Sequence, residues 1–439
     1  MTLWDQRVEA LACQEWRVRE DTLLAAQLAY VREKSAFYQR KLRAVGSGII
    51  DRQALAALPF TQKDELREDQ EEFPPFGSYL AASPEAVVRV HKTSGTTGRP
   101  LYIALTRRDV EMTQECGARA FFASGLRPGD RVVHCLNYQL WAGGLSDHLS
   151  LECVGATVVP FGVGNTGGLL RTIRDLYIDA ISSTPSYLVH LADIVRKELN
   201  VEPYELGLRK GFFGGEPGLQ NPRVREQIEQ TWGLRAMDAN YGMAEVLSIF
   251  GSECERREGL HFHGQEVLLV ELINPTTHGR IEIETGATGE LVYTNLAREA
   301  QPLVRYRSHD VAQIVASEVC DCGRTSFRFR ILGRSDEMVH VRGVNVFPSA
   351  IAEVLAGFGT DLTGEFQIVL HAPPPYDMLK IRAETSESRS TQAPAAELGD
   401  RVAAALHEQL NFRADIELVP CGTLPRTAGK AIRVVKSYT

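Results

Sequence analysis

The chain has no long uninterrupted apolar run, so no segment reads as a membrane span and no membrane partner is expected. It has no Lys/Arg-rich stripe either. With 48 Lys and Arg against 56 Asp and Glu, the net charge of −8 argues against a nucleic-acid carrier, because nothing concentrates the positive charge that a phosphate backbone requires. Cysteine is sparse: eight residues, at 13, 116, 135, 153, 254, 320, 322 and 421, are spread too thinly for a disulfide-stapled fold. The opening Met1-Thr-Leu-Trp-Asp-Gln-Arg lacks the basic-then-apolar order of a secretory signal, and a reducing, cytoplasmic setting is expected.

What is present begins with size. At 439 residues and 48.6 kDa the chain exceeds what one core usually supports, so two or more domains are expected. Residues 5–43 read as one or two helices and 58–85 as a connecting region. Val87–Val90, 131–136, 156–160, 180–183 and 210–214 read as strands, and 109–124, 166–178, 186–198 and 219–231 as helices. This alternation predicts parallel sheet covered by helices, with binding groups beyond the carboxyl ends of the strands. After Gly251 the pattern changes: 266–273, 279–283 and 289–294 read as closely spaced strands of a β-rich subdomain at about 252–330. A helix over 348–355, a strand over 366–370, a mobile loop over 385–396 and a helix over 395–410 predict a small α+β lobe at the end.

The stretch His91-Lys-Thr-Ser-Gly-Thr-Thr-Gly-Arg-Pro100 leaves the first of these strands. Thr93, Ser94, Gly95, Thr96, Thr97 and Gly98 supply four hydroxyls and two glycines, which suits wrapping around phosphate oxygens. Glycine lets N–H groups converge, and hydroxyls add uncharged donors. Arg99 and Pro100 follow, and Leu101–Leu105 reads as another strand, so the loop is a clamp between strands and not a Walker A turn. A plain surface turn has the same composition.

Other groups have two readings each. Gly215, Glu216 and Pro217 offer bare backbone for a flat ring, or a tight strand-to-helix turn. In Asp238-Ala-Asn-Tyr-Gly-Met-Ala-Glu245, Tyr241 is a stacking face or a core aromatic; Glu245 is an anion for Mg²⁺ or a solvent-facing helix charge. Asp310 can accept two hydrogen bonds from paired ribose hydroxyls, or cap a turn. Cys254, His261, Cys320 and Cys322 make a Cys₃His set suited to structural zinc, with His263 as the alternative histidine and free thiols as the alternative state. Asn137–His148 follows a strand end and holds Tyr138, Trp141, Gly143, Gly144 and His148, aromatics beside small residues that suit a flat acid or simple core packing.

Thr93–Pro100 is similar to the phosphate loop of adenylate-forming enzymes, in the phenylacetate–CoA ligase-like branch. The resemblance continues in order through Phe213-Gly-Gly-Glu-Pro217, Asn240-Tyr-Gly-Met-Ala-Glu245, Tyr306-Arg-Ser-His-Asp310, Leu332-Gly-Arg-Ser-Asp336, Val341-Arg-Gly-Val-Asn-Val-Phe-Pro348 and Leu424-Pro-Arg-Thr-Ala-Gly-Lys430. It implies an α/β adenylate-forming fold, with a large domain over 1–335 and a mobile C-terminal domain over 336–439 that turns about Asp336, whose neighbour Glu337 stands where a second acid is usual. It implies an ATP-, Mg²⁺- and CoA-dependent ligase of an aromatic acid such as phenylacetate, benzoate or anthranilate. Thr93, Ser94, Gly95, Thr97 and Gly98 would hold phosphate, with Thr96, Glu245 and Lys430 as the catalytic groups and Glu245 on magnesium. Gly215, Glu216, Pro217, Asn240, Tyr241, Gly242 and Met243 would hold the adenine side, Asp310 and Arg334 the ribose side, and Gly343 the pantetheine arm. Tyr138, Trp141, Gly143, Gly144, His148 and Ala244 would line the acid, Ala244 standing where the family commonly has a hydroxyl. Zinc is implied at Cys254, His261, Cys320 and Cys322. A carrier-protein phosphopantetheine as acceptor, a homodimer, and a non-catalytic nucleotide- or zinc-binding protein stay open.

Overall fold

The computed structural model describes residues 2–45, 52–93, 99–216, 218–342, 344–386, 395–425 and 433–438. They form two compact units, one of Met1–Gln220, Arg225–Ser308 and Ala312–Arg330, the other of Asn221–Val224, His309–Val311 and Ile331–Thr439. Among the described residues no helix is long and apolar enough to cross a membrane.

The larger unit is built on a twelve-stranded mixed sheet covered by helices; of the sheet's residues only His309–Val311 and 331–334 count with the smaller unit. Its parallel part runs in space Thr157–Pro160, Arg131–His134, Ala180–Ser183, Lys210–Gly214, Arg235–Met243. Buried-type strands such as Ala180–Ser183, with every side chain enclosed, can form only when helices cover both faces. The strand order reverses between Arg131–His134 and Ala180–Ser183. In doubly wound sheets the crevice at such a reversal, beyond the carboxyl ends, is where ligands bind. The chain leaves Arg131–His134 directly into Asn137–His148, so the stretch expected to meet the acid begins at that crevice.

The β-rich stretch is present, and its strands continue the same sheet. Arg235–Met243 folds back through a tight turn into Leu247–Glu253, and the sheet proceeds through Leu260–Phe262, Arg328–Arg334, Tyr306–Ala316, Thr288–Asn295, Leu268–Ile273 and Arg280–Ile281. Three local expectations are corrected. The N-terminal region makes three helices, Gln6–Glu9, Cys13–Lys34 and Ala36–Lys41. The connecting region contains the helix Lys63–Glu72, because Asp64 and Glu65 sit in its first turn, where acidic side chains are favourable, and Gln62 and Glu65 form a capping box. Asp310 lies inside the strand Tyr306–Ala316 and not in a turn, with its neighbour His309 at φ 62°.

The smaller unit holds a four-stranded sheet in the order Ala414–Val419, Leu379–Thr385, Leu362–Leu370, Val434–Lys436. The middle pair is antiparallel and both outer pairs are parallel. Helices Pro348–Ala356 and Ala395–Leu410 share its core through Ile351, Leu355, Phe366, Ile368, Ile381, Leu398, Val402 and Leu406. Most of the expected loop, 387–394, lies outside the described residues.

Candidate active site

The hydroxyl- and glycine-rich stretch joins two antiparallel strands, Val87–Lys92 and Tyr102–Thr106, with Lys92 opposite Tyr102. Thr93 closes the base of this hairpin: its N–H donates to the Leu101 carbonyl at 3.0 Å, and its hydroxyl accepts from the Leu101 N–H at 3.0 Å. Ser94, Gly95, Thr96, Thr97 and Gly98 lie outside the described residues. The acid stretch is zipped to the same hairpin, since the Lys92 N–H donates to the Leu140 carbonyl at 2.8 Å and Lys92 bridges Trp141.

Two glycines shape that stretch. A Cβ on Gly144 would stand 2.1 Å from the Asn137 carbonyl oxygen, and one on Gly143 would stand 3.0 Å from the Trp141 ring. The helix Ala142–Val154 can therefore start this close to the strand exit only with bare backbone. The Trp141 ring also lies 3.5 Å from where a Gly215 Cβ would be, and Gly215 has φ 81°. Beside it runs a chain of polar groups: the Tyr138 hydroxyl bonds His148 Nδ1 at 3.0 Å, and His148 Nε2 bonds Glu152 at 3.0 Å. Burial holds the Tyr138 hydroxyl above its ordinary value. His134 is fully enclosed, between Ser182 at 3.1 Å and the Gly144 carbonyl at 2.9 Å, and burial pulls it down to about 4. It is neutral, with Nε2 donating to Gly144.

Gly214 pairs with Asn240 across the parallel sheet, so closely that a Cβ would stand 2.5 Å from the Asn240 carbonyl oxygen. Glu216 accepts from the Ser186 N–H at 2.7 Å, which puts its carboxylate on the N-terminus of the helix Pro185–Leu199. Pro217 lies outside the described residues. Tyr241, Gly242 and Met243 end a strand, and Ala244 and Glu245 form the turn after it. The Tyr241 ring rests edge-on against Phe250 and Phe329, and its hydroxyl meets that of Tyr293 at 3.3 Å. Glu245 is not a solvent-facing helix charge. It is buried in a hairpin turn, paired with Lys63 at 2.7 Å, and Arg298 and Asn295 brace the turn through the Val246 carbonyl.

Sequence reasoning missed Lys63 and Arg298. Lys63 stands in a helix that the local composition disguised; Arg298 is one arginine among many, with no spacing to mark it. Both reach their places through long-range packing.

In the smaller unit Arg334 gathers three carboxylates: Asp310 at 3.3 Å, Asp336 at 2.8 Å and Glu337 at 3.8 Å. Burial pulls the guanidinium down, but the hydrogen bonds to Asp336 and the three negative charges outweigh it and hold it above its ordinary value. Gly343 and Lys430 lie outside the described residues.

Cys254, His261, Cys320 and Cys322 are all buried, and their ligand atoms lie within 4.8 Å of one another. Cys254 and Cys320 sulfurs are 4.0 Å apart; Cys322 sulfur is 3.6 Å from His261 Nε2. Hydrogen bonds from Cys254 and His261 hold the Cys322 thiol far below its ordinary value, the direction a metal-binding thiolate needs. His263 bonds Ser252 at 2.9 Å through Nε2 and is not part of the set.

The model of the AMP-binding enzyme family matches residues 24–295, and that of the AMP-binding enzyme C-terminal domain matches 343–437. The phenylacetate–coenzyme A ligase of Thermus thermophilus is 33% identical over 99% of this chain and 99% of its own length. That of Escherichia coli K12 is 32% identical over 97% and 96%. The crystal structure of a 2-hydroxyisobutyryl-CoA ligase, in the postadenylation state with 2-HIB-AMP, superposes with a TM-score of 0.89 at 31% identity, covering 99% of this chain and 92% of that one. The chain belongs to the AMP-binding enzyme family of adenylate-forming enzymes, in its phenylacetate–CoA ligase-like branch, and is an AMP-forming acid–thiol ligase.

Proposed function

We propose that this ligase activates an aromatic carboxylic acid and passes it to CoA. The carboxylate oxygen attacks the α-phosphorus of ATP, a mixed anhydride with AMP forms, and pyrophosphate leaves. The CoA sulfur then attacks the acyl carbon, and AMP departs with the electron pair of the broken anhydride bond. The observation that carries the aromatic reading is the shelf at the sheet's reversal point, where the Trp141 ring lies against Gly143 and close to Gly215, and the backbone of Tyr138 lies against Gly144. A flat ring buries well against such a surface. The phenylacetate–CoA ligases among the relatives support the same reading.

Each residue has a part in this proposal. Thr93–Gly98 donate to phosphate oxygens, Thr96 among them during the transfer. Tyr241 presents its face to adenine beside the bare backbone of Gly214 and Gly215; Glu216, Pro217, Asn240, Gly242 and Met243 shape that wall. Asp310 accepts from the ribose hydroxyls while Arg334 fixes its orientation. Glu245 would hold Mg²⁺: its carboxylate is of the right donor type, and the Lys63 ammonium against it shows that the position attracts positive charge. Held there, Mg²⁺ would supply positive charge to the triphosphate. Lys430 neutralises charge on the α-phosphate in the first step. The segment 336–439 then turns about Asp336 and brings Gly343 to the pantetheine arm.

The Cys₃His set fits structural Zn²⁺. Tetrahedral zinc with Zn–S bonds of about 2.3 Å spaces its sulfurs ~3.8 Å apart, close to the 4.0 Å between Cys254 and Cys320. Four protein ligands leave no open position for chemistry.

A panel of acids assayed for pyrophosphate release, repeated with CoA and with a phosphopantetheinylated carrier protein, tests the proposal. Aromatic acids with CoA should be turned over fastest. The likeness to a 2-hydroxyisobutyryl-CoA ligase favours a second reading, a short branched acid on the same shelf; faster turnover of such acids would establish it. Lys430→Ala should cost about 10²- to 10³-fold in pyrophosphate release, while thioester formation from supplied acyl-adenylate persists. Equal loss of both steps would refute that division of labour.

A further inference from the structure

We propose that the acid taken by this enzyme carries a hydroxyl or amino substituent, and that Asp147 is the side chain that selects for it. The inference rests on the acid–thiol ligase reading and on the acid stretch lying beside Asp147. It does not depend on whether the acid is aromatic.

Asp147 stands in the helix Ala142–Val154, three residues after Gly144 and four after Gly143. That spacing puts it on the helix face that carries the acid shelf. Opposite stands Asn240, whose Nδ2 donates to Asp147 Oδ2. Asn240 pairs in turn with Gly214, at the head of the Gly214–Glu216 turn. Asp147 therefore lies between the acid stretch and the nucleotide turn.

The carboxyl is fully enclosed, and its second oxygen, Oδ1, has no hydrogen-bond partner among the described residues. Among the described residues no cation compensates it. The titratable groups on the neighbouring elements are committed elsewhere: His134 to Ser182 and Gly144, His148 to Tyr138 and Glu152. Burial pushes the carboxyl well above its ordinary value, so without a ligand it is held towards the neutral form. Leaving such an oxygen unpaired is unfavourable, and Asn240 needs only one of the two oxygens. A hydroxyl on the acid can pair with Oδ1 in either protonation state, and an amino group can donate to it. A methyl group in the same place leaves the oxygen unpaired.

Pairs of acids that differ only by hydroxyl, amino or methyl, on both aromatic and aliphatic frames, should be compared by kcat/KM for pyrophosphate release. The wild-type enzyme should favour the polar member by about 10- to 100-fold, the range that one unpaired buried oxygen gives. Asp147→Ala should bring that ratio close to one by losing the polar acid and not the methyl one. Asp147→Asn, nearly isosteric, presents an N–H at the orphan position; it should keep the hydroxy acids and lose the amino acids. Turnover of aliphatic pairs alone would end the aromatic reading yet still measure the ratio. A wild-type preference for the methyl member, or an Asp147→Ala loss equal on all members, would overturn the proposal; an equal loss would leave Asp147 a strut for Asn240 only, with an ordered water on Oδ1.

Discussion

Two of the polar clusters buried in the larger unit treat their valences differently. In the Cys254, His261, Cys320 and Cys322 set every ligand atom faces another. Ser326 holds the far nitrogen of His261, and Arg324 links Cys322 to the buried Glu9. Around Asn137–His148 the His134 and His148 bonds are complete, but among the described residues Asp147 Oδ1 and His91 Nε2 are left over. A closed set has nothing to offer a substrate and everything to offer the fold. A set with open valences bears a cost in stability that a ligand or an ordered water can offset.

The strongest way to break this contrast is to open the closed set. Cys322→Ser should take the metal-to-protein ratio from near one to near zero. It should also lower the unfolding free energy by about 4 kcal/mol or more, as loss of a structural metal does. Pyrophosphate release per folded molecule should change little. His263→Gln should keep the metal, because its ring serves Ser252. Zinc loss that stops catalysis in a fully folded protein would erase the distinction.

Much of this contrast was legible in the sequence, but not the part that decides it. Alternating strand and helix, the hydroxyl-rich loop and the Cys/His residues were visible because each is a local pattern or a spacing. The reversal of strand order was not, since it depends on which strands pair. The choice of His261 over His263 was not, since both point the same way along a strand and only Ser252 tells them apart. The burial of Glu245 was not legible either, since its Lys63 partner is 182 residues away in sequence and no local pattern links them. The open valence of Asp147 is a statement about what does not surround it, which only packing reveals.

The next effect concerns pH. Burial pulls His134 down to about 4, against about 6.5 when unfolded. A histidine lowered in this way contributes stability that is fully present above pH 6.5 and is lost as pH falls from there towards 4, at about 1.4 kcal/mol per pH unit. His91, also pulled to about 4 by burial, adds a second proton with the same sign. Asp147 has the opposite sign, since its raised value favours the folded state at low pH. In urea midpoints measured between pH 7 and 5, His134→Gln should lose less stability with acid than the wild type, by about one proton's worth of slope. A slope unchanged by the substitution would mean that His134 takes up its proton alike in the folded and unfolded states, so that burial does not lower it.

A smaller effect sharpens the open side. Lys63 holds its ammonium 2.7 Å from Glu245 and competes with any cation there. Lys63→Met should lower the Mg²⁺ concentration for half-maximal rate by roughly fivefold, the equivalent of about 1 kcal/mol for a partly exposed pair. A higher Mg²⁺ requirement would instead make Lys63 a phosphate ligand.

The smallest effect is expected at Tyr138. Removing its hydroxyl in Tyr138→Phe breaks one hydrogen bond, to His148 Nδ1, but His148 keeps Glu152, and the ring keeps its edge contacts with His134 and His148. The side chain of His148 is 13% exposed, so water can replace the lost donor. The net change should then be about 1 kcal/mol or less. It should appear as a rise of up to about fivefold in KM for the acid with kcat unchanged, because an interaction equal in the ground and transition states alters binding alone. A hundredfold fall in kcat would move Tyr138 from the shelf to the reacting carboxylate. The acid would then lie closer to the phosphate hairpin than Trp141 and Gly143 imply, and the open valence of Asp147 would have to be met by another part of the same molecule.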